Sequence, residues 1–198
     1  MLYSLKPYNS PGKDTHAYCD NLFTKEELNT ILALPEWLNT TNGTVGSIEN
    51  TVNENIRKNN IAWLNVNNNT QFIWEKISEV ISNINSKFFQ FDLSGFYEPI
   101  QLGVYNSDIQ SHYNWHADAN PNDPRVPRKL SMSLILSDNS EYEGGELQLK
   151  SQSDTEIILN CPKGRAWFFP SYTLHRVTPV TRGIRRSLVV WVGGPAFK

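Results

Sequence analysis

Tyr113-Asn114-Trp115-His116-Ala117-Asp118 is the stretch on which the reading of the chain turns. On a strand, residues i and i+2 project to one face, so His116 and Asp118 offer an imidazole nitrogen and a carboxylate oxygen to one point. Fifty-nine residues further on (175 − 116) stands Leu174-His175, and ten beyond that (185 − 175) comes Arg185-Arg186-Ser187. Two imidazoles and one carboxylate on one face of a metal leave the opposite positions open, the facial arrangement suited to non-haem Fe(II). The expected ligand set is His116, Asp118 and His175.

Taken singly, each piece has a plain alternative: a satisfied core histidine, a turn aspartate, charges on an edge strand. The arginine strand changes the weighing. Arg185, Ser187, Val189 and Trp191 fall on one face, and Arg186, Leu188, Val190 and Val192 on the other. An arginine beside a serine suits the far carboxylate of a small dicarboxylic acid, because the planar guanidinium binds a carboxylate through two parallel hydrogen bonds. Gly144-Gly145 reads as a turn or bulge rather than a phosphate cradle, since no helix follows it. His16 and His112 stay outside the set.

The 198 residues suit a single domain, 1–198, with 1–90 as helical support and loops and 91–198 as the core. A net charge of −2 predicts no attraction to nucleic acid or to an anionic membrane. No apolar run approaches a membrane span, and the N-terminus lacks the basic-then-apolar look of a signal peptide, so the expected location is cytoplasmic. Cys19 and Cys161 are read as reduced thiols, and a reducing compartment also suits Fe(II).

Along the chain, 1–20 reads as an irregular or edge segment. Thr24-Lys25-Glu26-Glu27 matches a capping box and predicts a helix over 25–34, stopped by Pro35. The polar, Asn-rich stretch 39–60 has no clear period and reads as a surface loop or a flap. A short strand at 61–64 follows, then a helix over 70–89 carrying one apolar stripe. Beyond 91, short runs at 100–105, 113–118, 130–136, 146–150, 156–159, 165–169 and 187–192 read as strands. Pro121, Pro124 and Pro127 stiffen the loop after Asp118. The fold class expected is α+β, mainly β: a double-sheet jelly roll buttressed by the N-terminal helices.

The C-terminal half resembles the Fe(II)- and 2-oxoglutarate-dependent oxygenases, in particular the prolyl-4-hydroxylase-like branch. The matching stretches are Gln101-Leu102-Gly103-Val104-Tyr105, the opening motif, Arg128-Lys129-Leu130-Ser131 and Tyr142-Glu143-Gly144-Gly145-Glu146-Leu147. Phe169-Pro170-Ser171-Tyr172-Thr173-Leu174-His175 and Gly183-Ile184-Arg185-Arg186-Ser187-Leu188 complete them. The resemblance implies a double-stranded β-helix with iron at its open end, held by His116, Asp118 and His175. It places Arg185 on the distal carboxylate of 2-oxoglutarate, with Tyr105 and Ser187 beside the cosubstrate and Ser131 or Ser133 as a further hydroxyl. In related halogenases a small residue replaces the carboxylate ligand; this chain keeps Asp118, so hydroxylation is implied.

The implied reaction consumes 2-oxoglutarate and O2, releases succinate and CO2, and hydroxylates an unactivated C–H bond, with ascorbate as an accessory cofactor. The expected substrate is a prolyl or other side chain of a peptide or protein. A small molecule such as a free amino acid, and a non-catalytic metal-binding jelly roll, stand as alternatives. Tyr113, Trp115, Trp63 and 39–60 are placed at the substrate groove by their nearness to the motif.

Overall fold

The structure, a computed structural model, describes residues 15–45, 51–119, 127–151 and 153–196. In chain order these form β1 (Ala17–Cys19), α1 (Lys25–Leu32), a 3-10 turn (Pro35–Leu38), β2 (Thr41–Asn42), β3 (Arg57–Lys58) and β4 (Asn60–Leu64). Next come α2 (Gln71–Ile84), continued by a π-helical turn (Asn85–Phe89), then β5 (Ile100–Asn106), β6 (His112–His116) and β7 (Arg128–Ile135). The remaining strands are β8 (Tyr142–Gly144), β9 (Leu147–Lys150), β10 (Glu156–Ile158), β11 (Ala166–Pro170), β12 (His175–Val177) and β13 (Val180–Gly193).

Two antiparallel sheets face each other. The larger runs β1-β11-β7-β13-β5-β4-β2, with β8 on β13; the smaller runs β10-β9-β12-β6-β3. This is the double-stranded β-helix jelly roll expected from the strand pattern.

Strand alternation assigns the two faces of the larger sheet. Leu130, Met132 and Leu134 of β7, Phe168 of β11, and Leu188, Val190 and Val192 of β13 share a core with the helices. The stripe Ile73, Ile77, Val80, Ile81 and Ile84 of α2 is buried in that core. The opposite face carries Tyr105, Trp167 and Phe169 onto Leu147, Leu149 and Val177 of the smaller sheet. α1 starts where the capping box predicts: Thr24 Oγ1 accepts from the Glu27 N–H (3.2 Å), and Glu27 Oε2 accepts from the Thr24 N–H (2.8 Å).

The stretch 39–60 departs from its reading as a loop. Its described residues include β2, β3 and the first residue of β4, and β3 pairs with β6 through Arg57↔Tyr113 and Lys58↔His112. Cross-strand partners, absent from any local pattern, hold these short strands. The segment 1–20 does contribute an edge strand, β1 on β11. Gly144, read as part of a turn or bulge, ends β8, and β13 begins seven residues before the predicted 187 (187 − 180). Pro121 and Pro124 lie outside the described residues. Among the described residues, no helix is long and apolar enough to cross a membrane.

Ile77 is fully buried against the sheet, so Ile77→Ala should lower the unfolding free energy by about 2–5 kcal/mol. Thr24→Ala, which removes only a cap, should cost about 1 kcal/mol. Urea titrations of both variants check the ranking.

Candidate metal and cosubstrate site

Antiparallel pairing of β12 with β6 sets His175 opposite His116. The next paired residues are Val177 and Tyr113, so two steps on β12 match three on β6. That bulge brings Tyr113 to the side of His116. Their rings stack with centroids 3.4 Å apart and planes 11° from parallel. Asp118 follows the end of β6. One ligand atom each from His116, Asp118 and His175 lies within 4.8 Å of the others. His116 Nε2 is 3.7 Å from Asp118 Oδ1, and His175 Nε2 is 3.4 Å from Asp118 Oδ2.

Each ring is oriented by a carbonyl two residues upstream. His116 Nδ1 lies 2.8 Å from the Asn114 carbonyl and His175 Nδ1 lies 2.9 Å from that of Thr173. A carbonyl can only accept, so each Nδ1 carries a proton, and Nε2 is the nitrogen each ring turns toward Asp118. Ser131 Oγ donates to Asp118 Oδ2 (2.7 Å) and also meets Ser171 Oγ (2.9 Å). Ser131 is therefore engaged with Asp118, while Ser133 lines the cavity.

Protonation fits a cation. Burial, aided by the charge of His175, pushes His116 down to about 3. Burial pulls the Asp118 carboxyl upward, but His175, His116, Arg128 and the Ser131 hydrogen bond outweigh it and hold it at about 2. At neutral pH the site presents a carboxylate and a neutral His116 imidazole. Burial pushes the Tyr113 phenol up to about 12, so it stays un-ionised.

The same cavity is lined by Tyr105, Arg185 and Ser187. Arg185 is 1% exposed, and its Nε and Nη1 have no hydrogen-bond partner among the described residues. Its guanidinium carbon lies 5.2 Å from the centre of the Tyr105 ring, the cross-strand partner of Arg185. A buried cation with unfilled donors calls for an anion. Gly145 leaves room for it: at φ +63° it sits so close that a Cβ would come within 2.8 Å of Arg185 Cδ.

Two tryptophans differ from expectation, while His16 and His112 stay outside the site as expected. Trp115 is not brought to the cavity; its ring lies between Arg176 (4.6 Å) and Lys150 (5.3 Å). Trp63 is also absent from the cavity wall; it is 42% exposed and 6.4 Å from the Trp191 ring. His112 bonds the Gln110 carbonyl, and His16 packs on Trp167. Sequence reasoning missed Arg57, Gln101 and the Trp191 indole as cavity residues. For Trp191 the signal was present, because it shares the Arg185 face of β13.

Residues 100–193 match the profile of the 2OG-Fe(II) oxygenase superfamily. That stretch is just under half of the chain. A PKHD-type hydroxylase of Synechococcus sp. (strain CC9902) is 41% identical over 90 residues, 45% of this chain and 39% of the relative. The chain spans about two fifths of the length of the curated relatives it matches. A prolyl hydroxylase of Trichoplax adhaerens, solved with a hypoxia inducible factor peptide fragment, superposes with TM-score 0.74 at 20% identity, covering 90% of this chain and 83% of that one. A Pseudomonas putida prolyl-4-hydroxylase gives TM-score 0.70 at 19% identity, covering 92% and 94%. The superfamily implies Fe(II), 2-oxoglutarate and O2. The residues fit: two imidazole Nε2 atoms and a carboxylate for the metal, and a buried guanidinium with two unfilled nitrogens for a dicarboxylate.

Both His116 and Asp118 have folded pKa values below their ordinary ones, so protons favour the unfolded chain. For the metal-free protein, stability should fall as pH drops from about 6.5 toward 3 through His116, and from about 3.8 toward 2 through Asp118. Urea midpoints across this range check it; His116→Gln should flatten the upper part.

Proposed function

We propose that this chain is an Fe(II)- and 2-oxoglutarate-dependent dioxygenase that hydroxylates a prolyl or other side chain of a peptide or protein. The observation that carries the reading is Arg185, a buried guanidinium with unfilled donors in the same cavity as His116, Asp118 and His175. A metal-binding module without turnover has no use for such an anchor.

In this reading His116 Nε2, Asp118 and His175 Nε2 hold the metal, and Arg185 takes the far carboxylate of 2-oxoglutarate, with Tyr105 and Ser187 beside it. When bound, Fe(II) with 2-oxoglutarate and O2 supplies the oxidising power that puts oxygen into an unactivated C–H bond, releasing succinate and CO2. The protein orients and excludes water. Asn114 and Thr173 carbonyls fix the two imidazoles, and Ser131 fixes the carboxylate. Phe169, Leu147 and Val177 make the cavity wall apolar, which strengthens the charge pairing at Arg185.

The likeness to prolyl hydroxylases, one of them solved with a peptide, supports the peptide class. Ascorbate is assigned as the accessory reductant by family resemblance. We place the chain in the cytosol, where Cys19 and Cys161, both free, stay thiols.

The test is incubation with Fe(II), 2-oxoglutarate, O2 and a panel of proline-containing peptides, following succinate and the peptide mass. Gain of one oxygen with matching succinate is expected. Arg185→Ala should raise the 2-oxoglutarate requirement about thirtyfold or more. An unchanged requirement would remove Arg185 from the site. Oxygen gained by free proline alone would replace the peptide class with a small molecule.

A further inference from the structure

The cavity holds a second buried arginine with the opposite character. Arg57 is 6% exposed, and each of its nitrogens is already used by the protein. Nε donates to Asn59 Oδ1 (2.8 Å), Nη1 to the Thr44 carbonyl (3.2 Å) and Nη2 to Gln101 Oε1 (2.6 Å). All three acceptors are neutral, so the positive charge is held in place without being cancelled. What the guanidinium presents is its carbon, 4.5 Å from the centre of the Tyr113 ring. Tyr113 in turn lies flat on His116.

We propose that Arg57 is a positioning residue for the metal site: it holds the Tyr113 ring, and that ring fixes the plane of the His116 imidazole. The inference rests on His116 being a metal ligand. A cation over one face of an aromatic ring is attracted by its quadrupole, most strongly away from water. The other face of Tyr113 is then set at a fixed height and angle against the imidazole. The Asn114 carbonyl holds the Nδ1 edge of the imidazole, and the stack bears on its face, so the two contacts constrain the ring from different directions.

The backbone is arranged to the same end. β3 pairs Arg57 directly with Tyr113, and the Asn114 N–H donates to the Ile56 carbonyl (2.7 Å). Asn114 Nδ2 donates to the Asn55 carbonyl (2.6 Å). Gly43 closes over the guanidinium: a Cβ there would meet Asn59 Oδ1 and come within 2.6 Å of Arg57 Nε. The stretch 51–60 thus reaches the metal ligand through one stacked ring.

The test is anaerobic titration with Co(II), read by its visible ligand-field bands. Arg57→Met and Tyr113→Leu should each weaken binding about tenfold and alter the band envelope. Tyr113→Phe keeps the ring and should stay within about twofold of wild type with unchanged bands. The double variant should lose no more than the worse single one, because both break one chain of contact. Gly43→Ala covers the case in which Arg57→Met does not fold. Its added methyl meets only side-chain atoms, and it should weaken Co(II) binding and shift the bands in the same sense. Wild-type affinity and bands in Arg57→Met or Gly43→Ala would overturn the proposal, as would additive losses in the double variant. If the wild type binds Co(II) while these variants are indifferent, only the positioning role fails. If the wild type binds none, the metal site fails and the inference with it.

Discussion

The pairing of β12 with β6 is the constraint on which the site depends. It sets His175 across from His116, and the bulge beside it turns Tyr113 to the same side. A slip of one residue would send the imidazole of His175 to the outer face of the smaller sheet, where Arg176 now lies. Register on that sheet is held from both flanks, by β9 on β12 and by β3 on β6. The larger sheet is fixed independently by the apolar stripe of α2, so the Arg185 face meets the histidine pair across a core of defined thickness.

Charge decides what this cavity can hold. Two buried guanidiniums face one carboxylate, and they divide the work. Arg57 has its donors filled by neutral oxygens; Arg185 has two nitrogens unfilled. Burying a cation without a partner is unfavourable by several kcal/mol on the order-of-magnitude scale for ions. The fold tolerates Arg185 because packing from Gly145 and Tyr105 leaves it no other place, and the cost is offset when an anion arrives. A metal at the three ligand atoms and an anion at Arg185 would together satisfy this lining.

Much of this was legible because strands repeat every two residues. Arg185 and Ser187, two apart on β13, share a face by period alone; His116 and Asp118 have the same spacing, but Asp118 lies past the end of β6 and meets His116 from the loop. The helices followed from the capping box at Thr24 and from the stripe of α2. What escaped was set by tertiary contact. Nothing in the polar run 39–60 shows that Arg57 is buried, since its partners Gln101 and Tyr113 lie far along the chain. The bulge in β6 has no local mark either. Without it, Tyr113 and Trp115 share a face, and both were assigned to the groove; with it, Tyr113 enters and Trp115 stays out.

The central claim is that His116, Asp118, His175 and Arg185 together bind Fe(II) and 2-oxoglutarate. Its most direct test needs no substrate: add Fe(II) and then 2-oxoglutarate to the purified protein without oxygen, and look for the weak visible charge-transfer band of the chelate. A band is expected in the wild type, none in His175→Ala, and a much higher 2-oxoglutarate concentration is needed to reach it in Arg185→Ala. Tight Fe(II) binding with no band at any 2-oxoglutarate concentration would contradict it.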